Sequence, residues 1–307
     1  DGGPGAYSQL LILNEYMNRV AANMNKDIGN IYPADYFDII SGIGFGGLIS
    51  VMLGHFKMSV NEAIDSLVSI ATDVFPIEAC LLTSRWSMNA FPVQPVKCAS
   101  CIPPSVPSLP PTSVLYAATQ ANLSHLTAFR TYKSQGCDPN PAIVDAICGT
   151  MAMPSFFSPT NIGKHPAEQT FVGGGVILAN PTRELLKEAT YLYEKSTHMY
   201  QILNIGSGMR RVASLDVSES TLDIIRSSEL ENEAIASDIS TRVDRYLRLD
   251  VNRGMEDVNM DQWNKLGLIH SHTDAYLGTA DVRTKVESFL GRLHETNHDV
   301  IVENIGT

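Results

Sequence analysis

Residues 37–53, FDIISGIGFGGLISVML, decide how this chain is read. Phe37 to Ser41 is a short apolar strand, Gly42 to Gly46 a tight glycine turn, and the run that follows is a buried helix. A strand, a sharp G-x-S-x-G turn and a helix form a nucleophile elbow, which holds a serine hydroxyl at the top of a parallel sheet. In the frame Gly42-Ile43-Gly44-Phe45-Gly46 both outer glycines are kept, and the central position offers no hydroxyl. Such elbows strain the backbone of their central residue in a way that glycine tolerates cheaply, so the scaffold can outlast the chemistry.

Working outward, Ser8 to Met24 sets Leu10, Leu13, Met17, Val20 and Met24 at helical spacing on one apolar face. Ser59 and Glu62 form a capping box that opens a helix carrying Ile64, Leu67, Val68, Ala71 and Val74. Residues 92–111 hold seven prolines and read as irregular loop. Two strands follow, Ser113–Ala118 and Thr127–Tyr132, then a helix from Pro141 to Thr150 and an apolar loop from Met151 to Phe157. Phe171 to Leu178 reads as a strand interrupted by Gly173, Gly174 and Gly175, where the backbone must bend or be approached closely. Thr182 is placed to cap the next helix, and Tyr200–Ile205 is a strand ending at Gly206-Ser207-Gly208. The remainder reads as mostly helix, at about 218–243, 260–276 and 281–294. Strands alternating with helices predict an α/β fold with a mostly parallel sheet covered on both faces. The expected organisation is a single domain over 1–307, with the sheet core in 1–210 and a mainly helical extension in 211–307.

Composition bounds the partners. A chain of 307 residues with 44% hydrophobic and 18% charged residues can bury a large core. A formal charge of -11 and no block of Lys or Arg argue against nucleic acid. The five cysteines are an odd number spread through the chain. They suit a reducing, cytoplasmic setting better than a disulfide framework. No apolar run has the length of a membrane span and no leader precedes the domain, leaving peripheral membrane contact open. The chain opens on Asp1-Gly2-Gly3, which reads as a loop following a strand.

Other candidates for chemistry have plainer readings. Ser41 is a strand serine three residues before Gly44. Cys98 and Cys101 have a metal-type spacing without the second pair that zinc requires. His270, His272 and Asp274 lie in a helix, where positions two apart face different ways. His125 and His165 fall in predicted loops. Gly206-Ser207-Gly208 lacks the lysine and fuller glycine pattern of a phosphate loop. No metal or cofactor is expected.

The ordered motifs Asp1-Gly2-Gly3, FDIISGIGFGGLISVMLG, MPSFFSP, FVGGGVILANP and LNIGSG resemble the patatin-like phospholipases. The tail RYLRLDVNRGMEDVNMDQWNKLGLIHSHTDAYL is similar to that of fungal members. The resemblance implies a three-layer α/β/α sandwich. It also implies a serine acyl hydrolase built on a Ser-Asp dyad without histidine. The dyad serine falls on Gly44 and the dyad aspartate on Gly173. The glycine-rich oxyanion loop appears as Asp1 to Ala6, one residue short and without its arginine. A dyad needs a hydroxyl to form the acyl-enzyme and a carboxylate to take its proton, and glycine supplies neither.

The function expected is therefore a non-hydrolytic protein that handles an apolar or acyl-like small molecule in the former pocket. The residues expected to line it are Gly2, Gly3, Gly44, Phe45, Met151, Met153, Phe157 and Gly173. Two alternatives stand beside it. One is a repurposed enzyme catalysing a cyclisation, isomerisation or proton transfer on a hydrophobic metabolite, as in secondary metabolism. The other is a structural or signalling pseudoenzyme. Lipid acyl hydrolysis is the least favoured reading, and the oligomeric state is left open.

Overall fold

The computed structural model describes residues 3–27, 31–75, 112–132, 140–153, 156–178, 180–193, 201–208, 234–235, 237 and 246–291. The proline-rich stretch, Cys98 and Cys101, Gly2, and nearly all of the helix expected at 218–243 lie outside these residues. The fold is α/β, a mixed sheet flanked by helices. Its contacts fall into two compact units, Tyr32–Gly175 and a second made of Asp1–Ile31 with Val176–Thr307.

In the Tyr32–Gly175 unit the strands are β1 (Ile39–Gly42), β2 (Thr112–Thr119), β3 (Asn122–Arg130), β4 (Thr160–Ile162) and β5 (Gln169–Gly173). β1 pairs with the first half of β2 in parallel, Gly42 opposite Leu115. β5 pairs antiparallel with the end of β2, Gly173 opposite Ala117. β3 and β2 form a hairpin, and β4 pairs antiparallel with β5. Strand–helix alternation predicts a mostly parallel sheet. The sheet is instead mixed, because short turns join β2 to β3 and β4 to β5, and short connections can return a strand only antiparallel.

The second expected strand, Thr127–Tyr132, begins earlier, at Asn122, which places His125 in β3 rather than in a loop. The glycine-interrupted strand ends at Gly173, where a 3₁₀ turn over Gly174–Val176 takes over.

Helix α2 (Phe45–Ser50) leaves the glycine turn and widens into a π turn over Val51–His55. The cause is a side chain entering the ladder: Ser113 Oγ donates to the Ser50 carbonyl at 2.8 Å, and Phe56 N–H bonds five residues back, to Val51 O. Helix α3 (Val60–Val74) begins at the capping box the sequence announces. Ser59 Oγ accepts from Glu62 N–H, and the Glu62 carboxylate accepts from Ser59 N–H at 2.8 Å. Its buried face centres on Ala63, Leu67 and Ala71, with Ile64 and Val68 on the flank. Helix α4 (Ile143–Met151) packs on β2, β4 and β5.

The other unit contains α1 (Gly5–Asn23), α5 (Thr182–Leu192), β6 (Ile202–Ile205), β7 (Tyr246–Leu249), α6 (Leu266–Leu277) and α7 (Ala280–Gly291). β6 and β7 pair in parallel. Leu10, Leu13, Met17 and Val20 are buried on α1 as the periodicity requires, while Met24 lies beyond the helix and is exposed. Residues 250–262 are loop, so the helix expected from Met260 starts only at Leu266, after a 3₁₀ turn. Thr182 is the first residue of α5. Pro181 stands at the N-cap without a side-chain cap, and Asn180 Oδ1, one residue earlier, accepts from both Thr182 N–H and Thr182 Oγ–H.

Candidate functional site: two glycine turns joined by Thr150

Gly44 stands between β1 and α2 with φ 58° and ψ −126°. An L-residue with a side chain adopts this conformation only at a cost of about 1–3 kcal/mol. The turn is tight, since a side chain on Gly42 would run into the Gly46 carbonyl.

Thr150, in the last turn of α4 and 1% exposed, ties this turn to the sheet. Its Oγ1 accepts from Gly44 N–H at 3.0 Å and donates to Tyr116 O at 2.7 Å. Tyr116 is the β2 residue between the partners of Gly42 and Gly173. Its carbonyl faces the edge where β1 stops and β5 starts, and Thr150 fills that notch.

Gly173 is bound to the same segment, its N–H donating to Ala152 O at 3.0 Å. The approach is so close that a Cβ on Gly173 would lie 2.8 Å from the Thr150 carbonyl oxygen and 3.4 Å from the Ala152 carbonyl carbon. The obstacle is backbone, which no side-chain rotation relieves.

The structure thus brings Gly44 and Gly173 to one place and puts Thr150 between them. Sequence reasoning missed Thr150, because a single threonine near a helix end carries no motif. Met151, Phe45 and Phe157 are buried, and Met153 is half-buried. Phe75 links the two phenylalanines, its ring centroid 6.4 Å from that of Phe45 and 5.7 Å from that of Phe157. Phe171 packs edge-on against Phe129 at 5.2 Å. Gly3, with φ 51°, rests on Met260 within the other unit.

Other nucleophile and metal candidates among the described residues lie elsewhere. Ser41 lies in β1 opposite Val114. Cys148 is buried on α4, and burial, with the charge of Asp145, pushes its thiol up to about 11. At neutral pH it carries no thiolate to attack with. His270 and His272 diverge as their spacing requires. His270 Nε2 pairs with Asp274 at 3.2 Å and its Nδ1 bonds the Tyr7 hydroxyl, while His272 lies against Gly254. His165 is an exposed loop residue. No group of three metal-ligating side chains occurs among the described residues.

The Gly206-Ser207-Gly208 turn has an internal anion. Asp250, just past β7, accepts from Gly208 N–H at 2.8 Å and pairs with Arg248 at 2.6 Å. Arg248 also donates to Asn204, which bonds Asn180 and Thr182. The Gly208 N–H is thus taken by a carboxylate of the chain itself.

The sequence model of the patatin-like phospholipases matches residues 2–186. The match includes the elbow, α4 and β5 and ends within α5. The chain belongs to the patatin-like phospholipase family. Its fold is therefore lipase-related, and a lipid-like ligand is compatible with it. Among curated proteins no match is found. No helix among the described residues is long and apolar enough to cross a membrane.

Proposed function

We propose that this patatin-like protein is a non-hydrolytic member of its family, one that keeps the elbow and handles an apolar or acyl-like molecule beside it. In this reading Gly44 and Gly173 occupy the positions of the dyad serine and aspartate. The observation that carries it is the fit of Gly173. A family aspartate there needs a Cβ, and the Thr150 carbonyl stands 2.8 Å from where that Cβ would be. The surroundings have settled onto a glycine, as expected of a natural departure and not of a catalytic residue removed from an intact site. Losing a nucleophile alone costs about 10⁶-fold in turnover in a serine protease. Here the hydroxyl and the carboxylate are both missing.

The ligand assignment rests on the family and on the retained elbow; Phe45, Met151 and Phe157 are packed in the core of the same unit. The same reading takes the chain as one domain of the fungal type, acting in the cytoplasm. Purified protein should release no p-nitrophenol from acyl esters and no fatty acid from phospholipid vesicles above background, and native mass spectrometry should find an apolar molecule retained. Hydrolysis that persists through purification and vanishes in Ser41→Ala would overturn the assignment.

A further inference from the structure

Phenylalanines from three separate segments meet beside the Gly44 turn. Phe45 opens α2 directly after Gly44, and Phe75 ends α3. Phe157 follows the segment Thr150–Ala152, which bonds both Gly44 and Gly173. The Phe75 ring stands between the other two, tilted to Phe45 at a centroid distance of 6.4 Å and edge-on to Phe157 at 5.7 Å. At these separations and angles aromatic rings attract one another.

The three rings are not held alike. Phe45 is fixed through the elbow, because its neighbour Gly44 is bonded to Thr150. Phe157 N–H donates to Met153 O at 2.9 Å, in a turn where Phe156 N–H donates to the same carbonyl. Both rings belong to residues only 1% exposed. Phe75 is the C-cap of α3, past its last helical residue, with φ −121° and ψ 67°. Its N–H closes the helix on Ala71 O at 2.8 Å. At 5% it is the most exposed of the three. Rotation about its Cα–Cβ bond moves the ring and leaves that backbone bond intact.

We propose that the Phe75 ring is a displaceable plug, and that the ligand handled beside the elbow binds by taking its place between Phe45 and Phe157. The inference rests on the ligand-handling reading of the elbow and adds the chemical class of the ligand. The space vacated is the size of one ring, and two of its walls are aromatic. A planar aromatic group regains both ring contacts that Phe75 gives up. A straight acyl chain regains neither and is ordered at a cost besides. The ligand is therefore planar and aromatic over the part that enters. Only the fraction of molecules with the plug open can bind, and exposing a phenylalanine side chain lowers the apparent affinity by a factor of about 10–100.

The test is equilibrium dialysis of the full chain against indole, with dodecanoic acid for comparison. Phe75→Ala should bind indole about 10–100-fold more tightly than wild type and should gain little for dodecanoic acid. Phe129, 2% exposed and edge-on to Phe171, is the control. Phe129→Ala also leaves a ring-sized hole and should gain nothing. In wild type labelled with para-fluorophenylalanine, the Phe75 resonance, assigned by its absence from Phe75→Ala, should move to the solvent-exposed range as indole is added. An equal gain in Phe129→Ala, an indole affinity untouched by Phe75→Ala, or a Phe75 resonance that stays in place while indole binds would each overturn the proposal. Should Phe75→Ala misfold, Phe75→Leu and the fluorine spectra decide. If neither probe binds wild type or Phe75→Ala, the ligand-handling reading falls as well. If dodecanoic acid binds wild type and indole does not bind Phe75→Ala, the plug alone is refuted.

Discussion

Under the proposed reading, replacing Gly173 by aspartate returns the carboxylate of the dyad, and the geometry around Gly173 sets a measurable penalty on it. The new Cβ would sit 2.8 Å from the Thr150 carbonyl oxygen, against an ordinary contact of about 3.4 Å or more. The end of α4 must therefore move by roughly half an ångström or more. That movement strains the two Thr150 hydrogen bonds to Gly44 and Tyr116. Overpacking of this kind costs about 1–3 kcal/mol. The carboxylate adds a second cost, because it is buried beside a carbonyl oxygen and has no cation to pair with among the described residues that contact Gly173. Together about 3–5 kcal/mol is expected, and at about 2 °C per kcal/mol for a chain of this size Tm should fall by some 6–10 °C. Gly173→Ala shares the steric part alone and should lose about half as much. Burial raises the folded-state pKa of the introduced carboxyl group above its unfolded value. The folded variant then binds more protons than the unfolded one between those two values, so the charge penalty grows as pH rises through that window and fades below about pH 4. Thermal scans of both variants at about pH 4 and pH 7 read the effect. Wild-type Tm for Gly173→Asp at neutral pH, or ester hydrolysis by the Gly44→Ser, Gly173→Asp double variant at family-like rates, would refute the closure argument.

Three further outcomes follow from the same geometry. Thr150→Val keeps shape but removes the Oγ1 bonds to Gly44 N–H and Tyr116 O, and should cost about 2–4 kcal/mol in urea denaturation, with Thr150→Ser recovering most of it. Asp250→Ala should destabilise by about 2–4 kcal/mol, since it removes the ion pair of Arg248 and the acceptor of Gly208 N–H, and a structure of the variant should show the 206–208 turn displaced. Cys148 should stay unmodified by iodoacetamide at about pH 8 in the native protein and react fully in denaturant, as peptide mapping by mass spectrometry can establish.

Where the sequence is legible, local physics is sufficient. The capping box at Ser59, the apolar stripe of α1 and the strand–turn–helix around Gly44 each arise from side chains within a few residues of one another. The β2–β3 hairpin is harder because its turn is Thr119-Gln120-Ala121-Asn122, without the Asn-Gly or Asp-Gly pair that marks tight turns, so the sequence pattern starts β3 five residues late. β7 is four residues inside a charged stretch, too short for periodicity to register. One signal there is available and goes unused. Arg248 and Asp250 are two apart, which places both on one face of a strand, and that is the ion pair that fills the 206–208 turn. Thr150 has no local signal. Its role exists only because β1, β2 and β5 deliver two glycines and the Tyr116 carbonyl to the end of α4.

That last arrangement bears on how the fold accommodates glycine at positions 44 and 173. A serine at the elbow must hold a backbone conformation costing about 1–3 kcal/mol, a cost a hydrolase tolerates in exchange for an exposed nucleophile. With Gly44 in place the cost largely disappears, while the hydrogen bond to Thr150 and the packing of α2 on β1 remain. At Gly173 the relation runs the other way: absence of a side chain lets the α4 terminus approach the sheet and add the Ala152–Gly173 backbone bond. The two glycines are thus coupled through Thr150, and their effects on stability should not add. In a double-mutant cycle, Gly44→Ala and Gly173→Ala together should cost less than the sum of the two singles by about 0.5 kcal/mol or more, because the first displacement of Thr150 relieves the second. Strict additivity would mean that each turn is held independently, and that Thr150 is a neighbour of both rather than the link between them.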